Sequence, residues 1–209
     1  GVVYEDADGI LYDSEKDRLF QLDRTNNKLN AYNQFSTKLN GSTLNSDLVS
    51  NIGVTVSVPF KNGREISKSG DRIVVATDAD TSQQAQNAFF IFDVTDNGIE
   101  FSKLYLSPIN LWGIHLEGTT MYAVQDNSDT LAIFYDFFSK ADGSQIIPNE
   151  KVQVEGITRT HGITYNAKKD LMILTDIGDP ALDDDGAYHL IPGFTPKLSK
   201  ALASGGRIP

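Results

Sequence analysis

The sequence predicts an all-β chain, a β-propeller with about four blades of four antiparallel strands. Three observations predict it. Four segments align as a strand, a polar turn and a second strand ending in Asp: "GILYDSEKDRLFQLD" (9–23), "EISKSGDRIVVATD" (65–78), "GIHLEGTTMYAVQD" (113–126) and "GITYNAKKDLMILTD" (162–176). The residues before the second strands, Arg18, Arg72, Thr120 and Asp170, recur at steps of about fifty, a period typical of propeller blades. The strand segments alternate and are rich in β-branched and aromatic residues, whereas helical periodicity is weak.

Each unit continues in the same order. Third strands are expected at 28–32, 88–94, 130–137 and 187–191, and fourth strands at 53–60, 100–106 and 150–156. Asn97-Gly98 and Asp142-Gly143 have hairpin-turn chemistry. The best helical segment is "PKLSKALAS" (196–204). The blades therefore fall at about 9–60, 61–107, 108–156 and 157–209 of one propeller domain or segment. No fourth strand is legible after "AYHLI", and "GVVYE" reads as the last strand of a preceding blade. An open fan of four blades exposes sheet edges. The expectation is that these blades belong to a larger, six- or seven-bladed ring, or that neighbouring copies complete them.

The strand pattern and the repeated Gly-Ile followed by Asp-terminated strands, across about 9–191, resemble β-propellers of the broad NHL-type and lactonase-like kind. The chain lacks the Trp-Asp pair of WD repeats and the Ser-x-Asp-x-Gly-x-Thr-Trp box of sialidases. Lactonase-like propellers of the gluconolactonase type hold a metal in the channel with Glu, Asn and Asp from several blades. Only Asp8 and Glu65 offer comparable acid here, so the resemblance assigns no catalytic role.

Composition narrows the function classes. The net charge of −10 opposes binding to phosphate backbones, so nucleic acid is not an expected partner. The apolar runs are too short to span a bilayer. With no cysteine, disulfides and thiolate chemistry are excluded. The sequence begins at Gly1 without a signal-peptide pattern, which fits a processed, exported protein as well as an incomplete chain. Asn40-Gly41-Ser42 is an N-glycosylation sequon. An extracellular or periplasmic setting is the expectation.

Two sets of candidate site residues emerge. The first is acidic. "TDIGDPALDDDGAYH" (175–189) holds five aspartates. Asp176 matches Asp23, Asp78 and Asp126 at the ends of the other second strands, where Asp serves as a turn-former. Asp179, Asp183, Asp184 and Asp185 belong to the fourth blade alone. Calcium, which takes hard oxygen ligands in flexible geometry, is the candidate cofactor there. The EF-hand template fails, because Gly186 at its sixth position puts Ala181 first and Pro192 last. A solvated loop is the competing reading.

The second set is Asp8, Arg64, Trp112 and His161, one place before each first strand. First strands line the channel of a propeller, so the four side chains are expected to meet at its mouth. Arg pairs with carboxylates, Trp offers a stacking face and His moves protons. The competing readings are a packing Trp, a weak Asp–Arg surface pair and a hydrogen-bonded His. Three functions follow: a binding or scaffold module for a small molecule, glycan or protein; a calcium-dependent hydrolase; or a self-associating subunit of an extracellular assembly.

Overall fold

The computed structural model describes residues 7–39, 44–51, 58–179, 181–182 and 186–209. Strands account for nearly all its regular structure. The chain forms two compact units: 1–106 with 142–144, and 107–141 with 145–209.

The first unit holds β1 (Ala7–Asp13), β2 (Arg18–Asp23), β3 (Lys28–Asn33) and β4 (Leu48–Asn51), then β5 (Gly63–Ser69), β6 (Arg72–Thr77), β7 (Ala88–Val94) and β8 (Ile99–Leu106). Each set of four is an antiparallel meander. The outer strands β4 and β8 also pair in parallel, Ser50 with Ile99 and Asn51 with Glu100, so both blades share one eight-stranded sheet. Phe20, Leu22 and Leu29 of the first blade meet Ile73, Phe90, Phe92 and Leu104 of the second in a common core. Each such side chain contributes on the order of 1.5–3 kcal/mol by leaving water. The fourth strand of the first blade lies at β4, upstream of the expected 53–60. Of that segment, Val58 and Phe60 enter the core, and 53–57 lie outside the described residues.

The second unit holds β9 (Leu111–Glu117), β10 (Thr120–Gln125), β11 (Thr130–Phe134) and β12 (Glu150–Val154), then β13 (Thr160–Asn166), β14 (Leu171–Asp176) and β15 (Ala187–Pro192). Helix α1 (Phe194–Ser204) contains the helix expected at 196–204, and the chain ends in the short strand β16 (Arg207–Ile208). Instead of lying beside β15, β16 pairs in parallel with β12. Arg207 fixes it there through Asp129, Gln153 and the Val154 carbonyl. Phe194, Ala201, Leu198 and Leu202 of α1 pack on a core that includes Val124, Ile133, Val154, Met172 and Leu174.

The repeat extends to the backbone. The tight turns after the first strands contain Asp17, Gly70, Gly118 and Asp170, all at positive φ, where Gly is free and Asp is tolerated. Just after each third strand, or at its end, an N–H closes back onto such a turn: Phe35 to Asp17, Val94 to Asp71, Phe137 to Thr119 and Phe194 to Asp170. Asn97-Gly98 turns β7 into β8, with Thr95 N–H donating to the Gly98 carbonyl at 2.9 Å. Asp142-Gly143 does not form the expected hairpin. Its segment hydrogen-bonds along Leu104–Leu106 in the first unit, with the Leu104 N–H on Asp142 Oδ1 at 2.8 Å.

All four first strands carry one extra residue near their start, a β-bulge. Asp8 and Gly9 lie between the Ala7–Asp23 and Ile10–Gln21 pairs, and Arg64 lies between Gly63–Thr77 and Glu65–Ala76. Trp112 and Gly113 lie between Leu111–Gln125 and Ile114–Ala123, and His161 and Gly162 between Thr160–Asp176 and Ile163–Leu174. A bulge re-aims a side chain and permits close approach of another backbone. A Cβ on Gly113 would collide with the backbone carbonyl of His161, which has no flexible end to move away. Gly113→Ala is expected to destabilise the protein by roughly 3 kcal/mol. Gly186→Ala, whose Cβ would make only ordinary contact, should be near neutral in the same denaturant titration.

Candidate functional site

The bulges place the four predicted residues as the second residue of their strands, within the strand and not one place before it as expected. Within the first unit, Asp8 and Arg64 come together. The Asp8 carboxylate lies 3.8 Å from Arg64 and 3.2 Å from Arg24, and Arg64 reaches Asp78 at 3.4 Å. Two guanidiniums and two carboxylates thus alternate on a half-buried surface. Arg24 was not among the expected residues; its adjacency to Asp23 at the end of β2 was the available signal.

Glu65 follows Arg64 in β5. Its Oε1 accepts the Ile66 N–H at 2.9 Å and lies against Gly9. Burial pushes its carboxyl above the usual range, and the charge of Asp8 adds to the effect. This corner therefore holds an ion-paired carboxylate next to a more easily protonated one.

Within the second unit, Trp112 and His161 come together. Their rings stack at 3.9 Å between centroids and 13° between planes. His161 Nε2 is 3.5 Å from Asp126 Oδ1, a buried oxygen that accepts no hydrogen bond among the described residues. The other Asp126 oxygen accepts from Asn127 Nδ2 at 2.7 Å, and Asn127 Oδ1 accepts from Arg159 Nε at 2.9 Å. Arg159 continues to the Gly178 carbonyl at 3.2 Å. The resulting row combines a flat aromatic face, an imidazole, a carboxylate, an amide and a guanidinium. It can stack on a ring and hydrogen-bond to polar groups around it.

The four strand-terminal aspartates separate into two roles. Asp23 accepts from the backbone and side chain of Asn26, as a turn-former does. Asp176 accepts from the N–H groups of Thr158, Arg159 and Gly178. Burial opposes its ionisation, but these donors outweigh it and hold the carboxyl below its ordinary value. Asp78 and Asp126 instead face Arg64 and His161, so they belong to the candidate site. Sequence reading missed this because all four occupy the same place in the repeat.

For the acidic loop, Asp179 Oδ1 accepts the Ala181 N–H at 2.9 Å. Asp183, Asp184 and Asp185 lie outside the described residues. Among the described residues no three His, Asp or Glu side chains converge as a metal site. Of the remaining histidines, His189 Nε2 lies 3.8 Å from Asp176, and His115 is held neutral more strongly than usual by burial.

No family model matches the sequence, and no curated protein does. Solved structures match it by shape. Glutaminyl cyclase from Myxococcus xanthus aligns with a TM-score of 0.60 at 9% identity, over 95% of this chain and 74% of that one. Hydrazine synthase from Kuenenia stuttgartiensis aligns at 0.58 and 9% identity, over 100% of this chain and 52% of that one. The beta-propeller domain of Cps50 (Swd1) from Myceliophteria thermophila aligns at 0.51 and 12% identity, over 82% and 48%. At such identities the likeness carries the fold alone, and the fold is an all-β propeller.

The raised carboxyl of Glu65 has a definite pH signature. Between the unfolded carboxyl value, about 4.3, and its higher folded value, the native state holds a proton that the unfolded chain releases. Its contribution is therefore fully present at low pH and lost as pH rises through the folded value. Glu65→Gln keeps an acceptor for Ile66 and removes the loss. The variant should melt a few degrees above the parent at pH 7, and the two should coincide near pH 4.

Proposed function

We propose that the chain is a binding module of the propeller class whose ligand sits on the first-strand bulges of the second unit, with the Trp112–His161 stack as its principal contact surface. The bulge supports this reading most directly. It recurs in all four first strands, yet presents four unlike side chains, Asp8, Arg64, Trp112 and His161. A purely structural device would repeat its residue as well as its backbone.

The chemistry of the second unit favours a ring-bearing polar ligand, a glycan above other classes. Trp112 supplies an apolar face for a sugar ring. Asp126, Asn127 and Arg159 supply the mixture of acceptors and donors that hydroxyl groups need. Within propellers, the strand pattern favours the NHL-type and lactonase-like kind. Calcium at Asp179 and the aspartates after it remains a separate part of the proposal, to be tested by adding the ion.

Trp112 is the only tryptophan, so intrinsic emission reports this surface directly. Titration with a panel of neutral and acidic oligosaccharides, with and without calcium, should shift or quench that emission for at least one member. His161→Ala should weaken the same binding about tenfold, in line with loss of one stacked, hydrogen-bonding partner. No emission change and no thermal shift with any member would remove the glycan reading.

A further inference from the structure

We infer that the outer edge of β15 is a self-association surface, and that it pairs antiparallel with β15 of a second copy about a two-fold axis. The inference starts from how the other outer strands are treated. Third strands β3, β7 and β11 are each covered by a fourth strand, β4, β8 and β12. Those fourth strands are covered in turn: β4 and β8 by each other, and β12 by β16. Among the described residues β15 has β14 on one side and no strand on the other. A strand edge with free N–H and C=O groups is a template for another strand, and proteins normally blunt it with charge, proline or a covering segment. Among the described residues only Pro192, at the far end, blunts it. The edge carries Tyr188, 78% exposed, and Leu190, 63% exposed, two residues apart on one face.

Charge selects the partner and its direction. Among the described residues, the end of this sheet at Ala187 carries the carboxylates Asp176 and Asp179 and the guanidinium of Arg159. The opposite end, at Pro192, carries Lys168 and Lys169 in the turn before β14, against Asp170. Antiparallel pairing of two copies sets each acidic end beside the other's basic end, whereas parallel pairing stacks like on like. It also permits a register in which Tyr188 lies across from Leu190 of the partner subunit, so each apolar side chain covers the other. A two-fold pair needs one self-complementary patch, and this edge is one.

Sedimentation velocity over a wide concentration range tests the inference on the full 209-residue chain. The expected result is a concentration-dependent monomer–dimer equilibrium. Leu190→Lys and Tyr188→Lys, both at exposed positions, should each give monomer, with circular dichroism and melting unchanged. Lys168→Glu with Lys169→Glu should weaken the dimer several-fold, and more so at low salt. Because the chain has no cysteine, mixing Tyr188→Cys with Leu190→Cys should give a disulfide-linked heterodimer that neither variant forms alone. A dimer unaffected by both lysine substitutions would overturn the proposal. So would a monomer at every concentration, including one whose β15 amides exchange slowly because another strand covers them.

Discussion

The close approach of neighbouring first strands governs both the packing and the candidate site. Gly113 has no room for a Cβ because the His161 carbonyl occupies that space, and a Cβ on Gly9 would meet the Ile66 side chain. The bulge that allows this proximity also turns the preceding residue out of the regular alternation. Trp112 therefore lands on the ring of His161, and Asp8 within reach of Arg64. The side chains gather there because the backbones must pass closely. A ligand surface at this place needs only a change of residue at the bulge, with no change of fold.

The outer edges obey a different constraint. Inner strands end at the close approach, whereas outer strands need an explicit cover. The first unit achieves it by joining β4 to β8, and the second by returning β16 along β12, locked by Arg207. Both joins are parallel and two residues long, so they give little pairing energy of their own. Burial beneath them does more: Ile99 and Ile208 are fully buried. The cover is thus chiefly hydrophobic, with the hydrogen bonds setting register.

The repeat was legible in the sequence because strand alternation, the fifty-residue step and the turn residues agreed with one another. Twelve inner and middle strands lie where pattern and turns put them, since apolar runs such as those of β6 and β7 are buried almost throughout. The covers were not legible. β4 is half exposed and shows no apolar run, and "RI" before Pro209 is too short to read as a strand. Asp142-Gly143 has the composition of a hairpin, but its hydrogen bonds go to β8, a tertiary contact that local chemistry cannot anticipate. The candidate residues Asp8, Arg64, Trp112 and His161 were found because they differ where the repeat should be constant. Asp78 and Asp126 were misread for the opposite reason, because a constant residue type concealed a change of partner.

The two units fill the same bulge with unlike chemistry, and the physics of each indicates how it responds to a ligand. The Asp8–Arg64–Asp78–Arg24 group consists of ion pairs at 3.2–3.8 Å on a half-buried surface. Such pairs contribute little net stability, because desolvation and ordering offset most of the attraction. They can be exchanged for ligand charges at small cost. The Trp112–His161 stack is different. It is joined to the core cluster through Trp112, and its polar row runs through Asp126, Asn127 and Arg159 to the backbone at Gly178. Moving it means disturbing packed elements. It is therefore the more preorganised of the two groups, and at the proposed site preorganisation would convert contact area into affinity, because little ordering would be left to do on binding.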